Sequence, residues 1–232
     1  MNIQFQLLKK LPPEVEDTED INWNNISKPY PSKRQIPEWL LQQQAEFDDG
    51  GKTIKKCQPF LDGVTSGYII TMPDDAVIRK TSKFDFEISG PGGAFLSAHG
   101  YAQYNASWFK DRIVVKFNNP WIIKTPESYS CYICHPNGKN IRPFYTIPAV
   151  IDTDIYSLTV AFPFVWMDYK IGVELEIPKG TPMAQIIPFK RDTWDMQIDE
   201  ANLEDWKQHQ ATLNVDPNNY YLKNIKQKKE FR

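Results

Sequence analysis

The chain has no long hydrophobic run, few cysteines, few glycines and no charge excess, and each shortage closes off a class of function. Nowhere in the 232 residues do eighteen apolar residues run together, so no membrane-spanning helix is expected. Three cysteines, Cys57, Cys131 and Cys134, are too few and odd in number for a disulfide scaffold, which predicts a reducing compartment. The opening "MNIQFQLLKKLPPEVEDTED" lacks a basic start followed by an apolar run, so no secretory signal is expected. Twenty-seven basic residues against 29 acidic ones give a net charge of −2, a balance that predicts no polyanion partner for the chain as a whole. Glycine numbers only eleven, and none follows Gly180.

Proline and aromatic residues are plentiful instead: 18 prolines and 13% aromatics predict many short elements joined by stiff turns. Three textures divide the chain. Residues 1–56 form an arm, acidic in "LPPEVEDTEDINWNN" and then proline-punctuated in "KPYPSKRQIPEWLLQQQAEF". Pro37 at a first turn, followed by Trp39, Leu40 and Phe47, predicts one short helix there. Trp23, Tyr30 and Trp39 either dock a partner or staple the arm to its own core. Residues 57–192 read as a β-rich core. "GYIITM", "AVIRK", "FDFEI", "RIVVKF", "PWIIKT", "YSCYIC", "YTIPAVID", "SLTVAFPF", "VELEIP" and "MAQIIPF" are rich in β-branched and aromatic residues, with turn signals between them. No helix periodicity intervenes, so the expectation is all-β, an antiparallel sandwich or barrel. "GPGG" at Gly90–Gly93 lacks the Lys-Ser/Thr and following helix of a phosphate loop and reads as a turn. Residues 193–232 form a C-terminal helix, through Ala201, Leu203, Trp206 and Leu213, and a basic tail, "KNIKQKKEFR".

Cys131-Tyr132-Ile133-Cys134-His135 is a literal C-x-x-C-H, the spacing of haem attachment. In a strand, however, Tyr129, Cys131 and Ile133 face one side and Ser130, Tyr132 and Cys134 the other, so the two thiols diverge. Zinc would need further ligands, and Cys57, His99 and His209 supply them at no recognisable spacing. The remaining reading is two small core hydrophobes.

"FYTIPAVIDTDIYSLTVAFPF" followed by "LEIPKGTPMAQIIPFKR" resembles two ordered blocks of the dUTPase and dCTP-deaminase superfamily, Gly-Val-Ile-Asp-x-Asp-Tyr-x-Gly and Gly-Asp-Arg-Ile-Ala-Gln. Upstream, "WIIKTPESYSCYICHPNG" is similar to the strand-turn-strand leading to that family's Arg-Ser-Gly phosphate site, and "SGYIITMPDD" to its opening Ala-Gly-Tyr-Asp-Leu block. The likeness covers about residues 65–190 and implies a β-clip, jelly-roll-like barrel. The whole chain also resembles a bacteriophage-associated family defined as a domain of unknown function, through "KPYPSKRQIPEWL", "TIKKCQPFLDGVTSGYIITMP", "NPWIIKTPESYSC", "IDTDIYSL" and "IPKGTPMAQIIPFKR". That implies a phage setting.

The dUTPase resemblance implies site residues. Asp152 matches the carboxylate that handles the attacking water, and Asn137, Gly138, Asp154, Tyr156 and Gln185 fall at ligand-contacting positions. Several parts differ. Ile155 stands where the sugar-supporting aromatic belongs, with Tyr156 one place later, which in a strand reverses the face. Pro136-Asn137-Gly138 replaces Arg-Ser-Gly, and proline brings neither charge nor an amide donor. Ile69 replaces the acidic residue of the opening block, although Asp74 and Asp75 are near. Thr181-Pro182 replaces a polar pair, and the glycine-rich C-terminal lid has no counterpart.

Three functions follow as expectations. The first is a non-enzymatic β-clip protein, an oligomeric virion structural or interaction module, because long aromatic and proline-rich arms wrap neighbouring subunits. The second is a divergent dUTPase-like dNTP pyrophosphatase, with Asp152 as base and Asp74 or Asp75 as a ligand for Mg²⁺, the pair Asp152/Asp154 being its support. That pair also fits a polar strand end with one carboxylate capping a turn. The third is a nucleotide sensor. Expected partners are copies of the chain, a trimer favoured, or other virion proteins. Nucleic acid would be touched only through the basic tail 223–232. No cofactor and no metal ligand set is assigned outside the enzymatic alternative, and the expected location is the virion or host cytoplasm.

Overall fold

Alternating β-branched and aromatic residues build strands along the middle of the chain in a computed structural model that describes residues 1–11, 21–83, 85–100, 103–104, 112–140, 143–167, 170–217 and 219–232. Most of the acidic stretch of the arm, residues 12–20, lies outside the described residues. The core strands are β3 (Tyr68–Thr71), β4 (Ala76–Lys80), β5 (Phe86–Ser89), β6 (Leu96–Ala98), β7 (Val114–Asn118), β8 (Trp121–Lys124) and β9 (Tyr129–Cys134). They continue with β10 (Phe144–Thr146), β11 (Ala149–Ile151), β12 (Ala161–Trp166), β13 (Glu174–Ile177) and β14 (Pro182–Lys190). The arm adds β1 (Gln4–Leu7) and β2 (Tyr30–Pro31). The protein is all-β, and among the described residues four antiparallel sheets run in the orders β1-β8, β10-β12-β7-β6, β11-β9-β14-β3-β2 and β13-β4-β5. Each of these orders is open, ending in two edges rather than closing into a barrel.

One core joins the sheets. Ile70, Met72, Ile78, Val115, Phe117, Ile123, Cys131, Ile133, Phe164, Trp166, Ile177 and Ile186 are buried together. Each such side chain contributes roughly 1.5–3 kcal/mol on removal from water. The ten segments read from the sequence largely become strands, with one division. "YTIPAVID" yields two strands, because Pro148 offers no amide donor to continue the ladder. Ile147 N–H makes a last bond to the Pro163 carbonyl at 2.8 Å, after which the chain crosses to the five-stranded sheet.

The arm is threaded into this body. β1 pairs with β8 from Gln4↔Lys124 to Leu7↔Trp121, so Phe5 and Leu7 pack on the core. Trp23 meets Phe95 edge-on, ring centroids 6.2 Å apart. Tyr30 and Pro31 make the outer strand β2 against β3, an edge where a missing proline donor costs nothing. The short helix α1 (Glu38–Gln42) follows Pro37 and buries Leu40, whereas Phe47 stays outside it and exposed. Trp23 and Tyr30 therefore staple the arm to its own chain, while Trp39 keeps its ring exposed and is held by its indole N–H on the Gly138 carbonyl.

A second helix, α2 (Gln58–Thr65), starts at Cys57 with Pro59 in its first turn. No helix is expected there from the sequence: eight residues with Gly63 among them are too short a run to stand out among strand-like segments. "GPGG" opens a short 3₁₀ helix, Pro91–Phe95, rather than a plain turn. The Gly92 N–H bonds the Asp75 carbonyl at 2.8 Å, and a Cβ on Gly92 would lie 2.3 Å from the Asp74 carbonyl oxygen.

Beyond β14 the chain leaves the body. Residues 191–202 carry no regular structure, and the helix α3 (Leu203–Val215) follows, capped by Asn202, whose Oδ1 accepts from Glu204 N–H at 3.0 Å. None of α3 is buried, and Leu203 and Trp206, expected to seat it, are more than half exposed. The tail then returns. Lys229 pairs with Asp62 of α2 at 2.8 Å, and Phe231 meets Tyr68 edge-on at 5.9 Å.

Candidate functional site

Strand alternation puts Gln185, with Ser130, Tyr132 and Val150, on the face of the five-stranded sheet opposite the core, and the turns that follow β9 and β11 bring the other candidates to its two ends. Register sets Tyr132 against both Val150 and Ile187, Ser130 against Phe189, and Cys134 against Gln185. Two residues beyond Val150 and Phe189 on the same faces come Asp152 and Arg191.

These two meet at the end of the sheet. The Ser130 hydroxyl donates to Asp152 Oδ1 at 2.6 Å, and Arg191 Nη1 lies 3.3 Å from the same oxygen. Arg191 turns its fork on Asp154, with Nη1 donating to Oδ1 at 2.8 Å and Nη2 to Oδ2 at 2.5 Å. Nη1 also donates to the Tyr129 carbonyl at 3.2 Å and to Ser130 Oγ at 3.0 Å. The Ser128 N–H donates to Asp154 Oδ2 at 2.9 Å, from a residue held at φ +68°. The Arg191 hydrogen bonds, aided by that amide, hold the Asp154 carboxyl down at about 2, although burial opposes them.

The two acids therefore differ in task. Asp154, with 5% of its side chain accessible, ties the turn to the start of β9; Asp152, with 60% accessible, faces solvent. Asp152 to Tyr156 is a turn, in which Ile155 N–H and Tyr156 N–H both donate to the Asp152 carbonyl at 3.1 and 2.9 Å. The two-residue period that separates Ile155 from Tyr156 in a strand does not operate here. Both line an open cleft of about 490 Å³ with Val150, Asp152 and Leu158.

Thr153, between the acids, went unremarked in the sequence. It is buried, its hydroxyl 2.7 Å from that of Thr125 and 3.3 Å from Cys131 Sγ. Its only signal was position between two acids, which marks no buried threonine in advance. Arg191 was legible only as the residue after β14; sequence distance hid its partners.

Asn137, Gly138 and Gln185 are brought together at the opposite end of the face, under α2. Gln185 is fully buried. Its Oε1 accepts the Asn137 N–H at 2.7 Å, and its Nε2 donates to the carbonyls of Ser66 at 2.6 Å and Gly63 at 3.2 Å. Asn137 Nδ2 donates to the Gly63 carbonyl at 3.1 Å. The Gly138 carbonyl accepts from Trp39 Nε1 at 2.7 Å. All three are engaged by the chain's own helix and arm. Asp74 and Asp75 belong to the β3–β4 connection, where Asp75 Oδ1 accepts the Lys179 N–H at 2.7 Å.

The Cys-x-x-Cys-His stretch is β9 and the turn after it. Cys131 and Cys134 are free and buried, on opposite faces of the strand, as the alternation requires. His135 accepts the Thr146 N–H at Nδ1, 3.3 Å, which leaves Nε2 to donate to the Asn140 carbonyl at 3.0 Å. Burial lowers its pKa, with the Asn140 bond opposing. Among the described residues no three His, Cys, Asp or Glu side chains are grouped to hold a metal ion. Nor is any helix among them long and apolar enough to cross a membrane.

The basic tail has partners within the chain. Lys223 pairs with Asp216 at 2.7 Å, Lys226 and Lys229 reach Asp62 at 3.9 and 2.8 Å, and Lys228 and Arg232 reach Glu230 at 2.8 and 2.5 Å.

No family model and no curated protein matches the sequence. Among solved structures, a dUTPase of Staphylococcus bacteriophage 80alpha is similar over 87% of this chain and 90% of its own, at 13% identity and a TM-score of 0.41. The EIAV dUTPase is similar over 59% and 85%, at 11% identity and 0.34. A dUTPase of phage phi11 of S. aureus is similar over 60% and 85%, at 12% identity and 0.34.

Proposed function

We propose that the protein is a non-enzymatic, oligomeric interaction module that assembles with copies of itself, three in the favoured arrangement, in or beside a phage virion. The observation that supports this best is large apolar side chains left uncovered on two parts of one chain. Trp194, Met196 and Ile198 are 83–88% exposed beyond β14, and Val150, Ile155 and Leu158 are more than half exposed on the body. Clustered apolar exposure of this kind marks an interaction surface.

The acid pair supports the same reading. Gripping a triphosphate takes donors free to meet developing charge, whereas both terminal nitrogens of Arg191 are committed to Asp154. Lys124, the nearby cation, donates to the Ser157 hydroxyl and to the Tyr156 carbonyl at 3.4 Å. One observation favours the second reading, a divergent dNTP pyrophosphatase or a nucleotide sensor: the Asp152 carboxylate is open to solvent at the rim of the 490 Å³ cleft. There Asp152 would act on water and Mg²⁺ would be required.

Incubating the protein with each dNTP and Mg²⁺ tests the first half of the proposal. No pyrophosphate release is expected, and turnover that disappears in Asp152→Asn would overturn the non-enzymatic reading. Light scattering tests the second half, with a mass of several chains expected and a single-chain mass at micromolar concentration overturning it. Mass spectrometry of purified particles checks the placement in a virion.

A further inference from the structure

Two features of the chain match each other and are not joined within it. The first is the segment Thr193–Asp199. Trp194, Met196 and Ile198 alternate with Asp195, Gln197 and Asp199, the pattern of a strand with one buried side. Here the apolar side is bare. The second is the middle of the outer face of the five-stranded sheet, where Val150, Tyr132 and Phe189 are exposed and Ile187 half-buried between them. α2 covers the Gln185 end of this face, and the Asp152–Ser130–Arg191 cluster closes the other.

We infer that residues 193–199 are a strap that lays Trp194, Met196 and Ile198 of one copy across Tyr132, Val150, Ile187 and Phe189 of a second copy. This rests on the self-assembly proposed above and names its contact. Three observations favour a second copy over the chain's own face. The strap leaves from the end of β14, the strand that carries Ile187 and Phe189, so reaching them in the same chain demands an immediate reversal. Between Phe189 and Asp216 there is no glycine or proline, and the one turn former at the start of the strap, Asp192, already takes the Thr193 N–H with the chain still running outward. Residues 192–202, extended, span on the order of 35 Å, enough to cross onto a neighbour. Seated this way, Asp195, Gln197 and Asp199 remain in water. Three large side chains against an apolar face bury on the order of 1,000 Å² per contact, the scale of a specific interface.

The strap residues make so little contact in one chain that replacing them leaves the fold intact. Trp194→Ser/Met196→Ser/Ile198→Ser is expected to keep the unfolding midpoint of the separated chain and to weaken assembly at least tenfold by light scattering. Location is tested by cross-linking in a Cys57→Ser background. One protein carries Met196→Cys; the other, distinguished by an affinity tag, carries Val150→Cys. Mixed under mild oxidation, they should give a disulfide-linked heterodimer at least tenfold above a control pair with Glu174→Cys on remote β13. Oligomers that form without the Met196–Val150 link, or that survive the triple substitution, would overturn the strap while leaving self-assembly standing. A Met196–Val150 link formed only within a double variant's single chain would overturn it equally. A monomer throughout overturns both.

Discussion

Arg191 and Asp154 form a two-bond fork, Nη1 to Oδ1 at 2.8 Å and Nη2 to Oδ2 at 2.5 Å, that locks the end of β14 to the turn after β11. Through it, one acid of a conspicuous pair becomes a structural tie while its neighbour stays at the surface. The acidic pair alone does not separate these roles; the position of the guanidinium does.

That fork sets an acid limit on stability. The Asp154 carboxyl falls from its ordinary 3.8 to about 2. A depressed acid contributes stability that is fully present above its unfolded value and is lost as pH falls through the folded one. Urea midpoints should therefore decline between pH 4 and pH 2, and Asp154→Asn should flatten that decline while lowering the midpoint at pH 7. A separate decline is expected from His135, whose pKa is lowered by burial. Its contribution begins to be lost as pH drops below the ordinary 6.5, and His135→Gln should remove that earlier step. A pH profile unchanged in both variants would refute the assignments.

Gln185 is expected to report on folding. Gln185→Leu keeps the volume but strands the part-buried Asn137 N–H and Ser66 carbonyl, each loss costing roughly 1–3 kcal/mol. A net destabilisation of about 2–4 kcal/mol is expected in denaturant titration. A variant as stable as the parent would mean that the amide is free to serve a ligand.

Gly138 gives a companion test on the same turn. It holds φ +77°, and a Cβ there would lie 3.0 Å from Pro37 Cγ and 3.1 Å from Val64 Cγ2. The left-handed backbone alone costs a β-carbon about 1–2 kcal/mol, and the arm must also shift. Gly138→Ala should lower the thermal midpoint and free Trp39, already partly exposed, from the carbonyl that holds its indole N–H, seen as a further red shift in its fluorescence. An unshifted spectrum at unchanged midpoint would show that the arm does not rest on this turn.

Much of the body was legible because its signals are local. The runs "YSCYIC" and "MAQIIPF" became strands, the first with the expected faces, and Pro37 marked the start of a helix. What was hidden depends on pairing across the chain. β1, read as part of an arm, is a strand because Trp121–Lys124 lies beside it. α2 carries a proline and a glycine and is held by Gln185, more than a hundred residues away. Tyr156 was weighed as a strand residue, but two amides on the Asp152 carbonyl make a turn there. The acids could be counted from the sequence; their division of labour could not, since Arg191 reaches them only after β14 has paired with β9.

The cysteines offer the sharpest check on the middle of the fold, because two opposed readings predict opposite chemistry. A pair poised for haem or metal would present accessible thiolates. Burial instead pushes the Cys131 and Cys134 thiols up to about 11 each, with a weak opposing bond from Thr153 to the first. At pH 8 such thiols are about one-thousandth ionised, and the thiolate is the nucleophile. Their side chains also lie on opposite faces of β9, one in the core and one beneath the outer face. Cys57, at the start of α2, is exposed. In the folded protein a thiol reagent at pH 8 should therefore label one cysteine per chain promptly, removed by Cys57→Ser, and three in denaturant. The two strand cysteines should react at least a hundredfold more slowly, at a rate that follows opening of the sheet and rises in step with urea. Prompt labelling of a second thiol would place β9 at the surface and remove the strand on which the outer face is built.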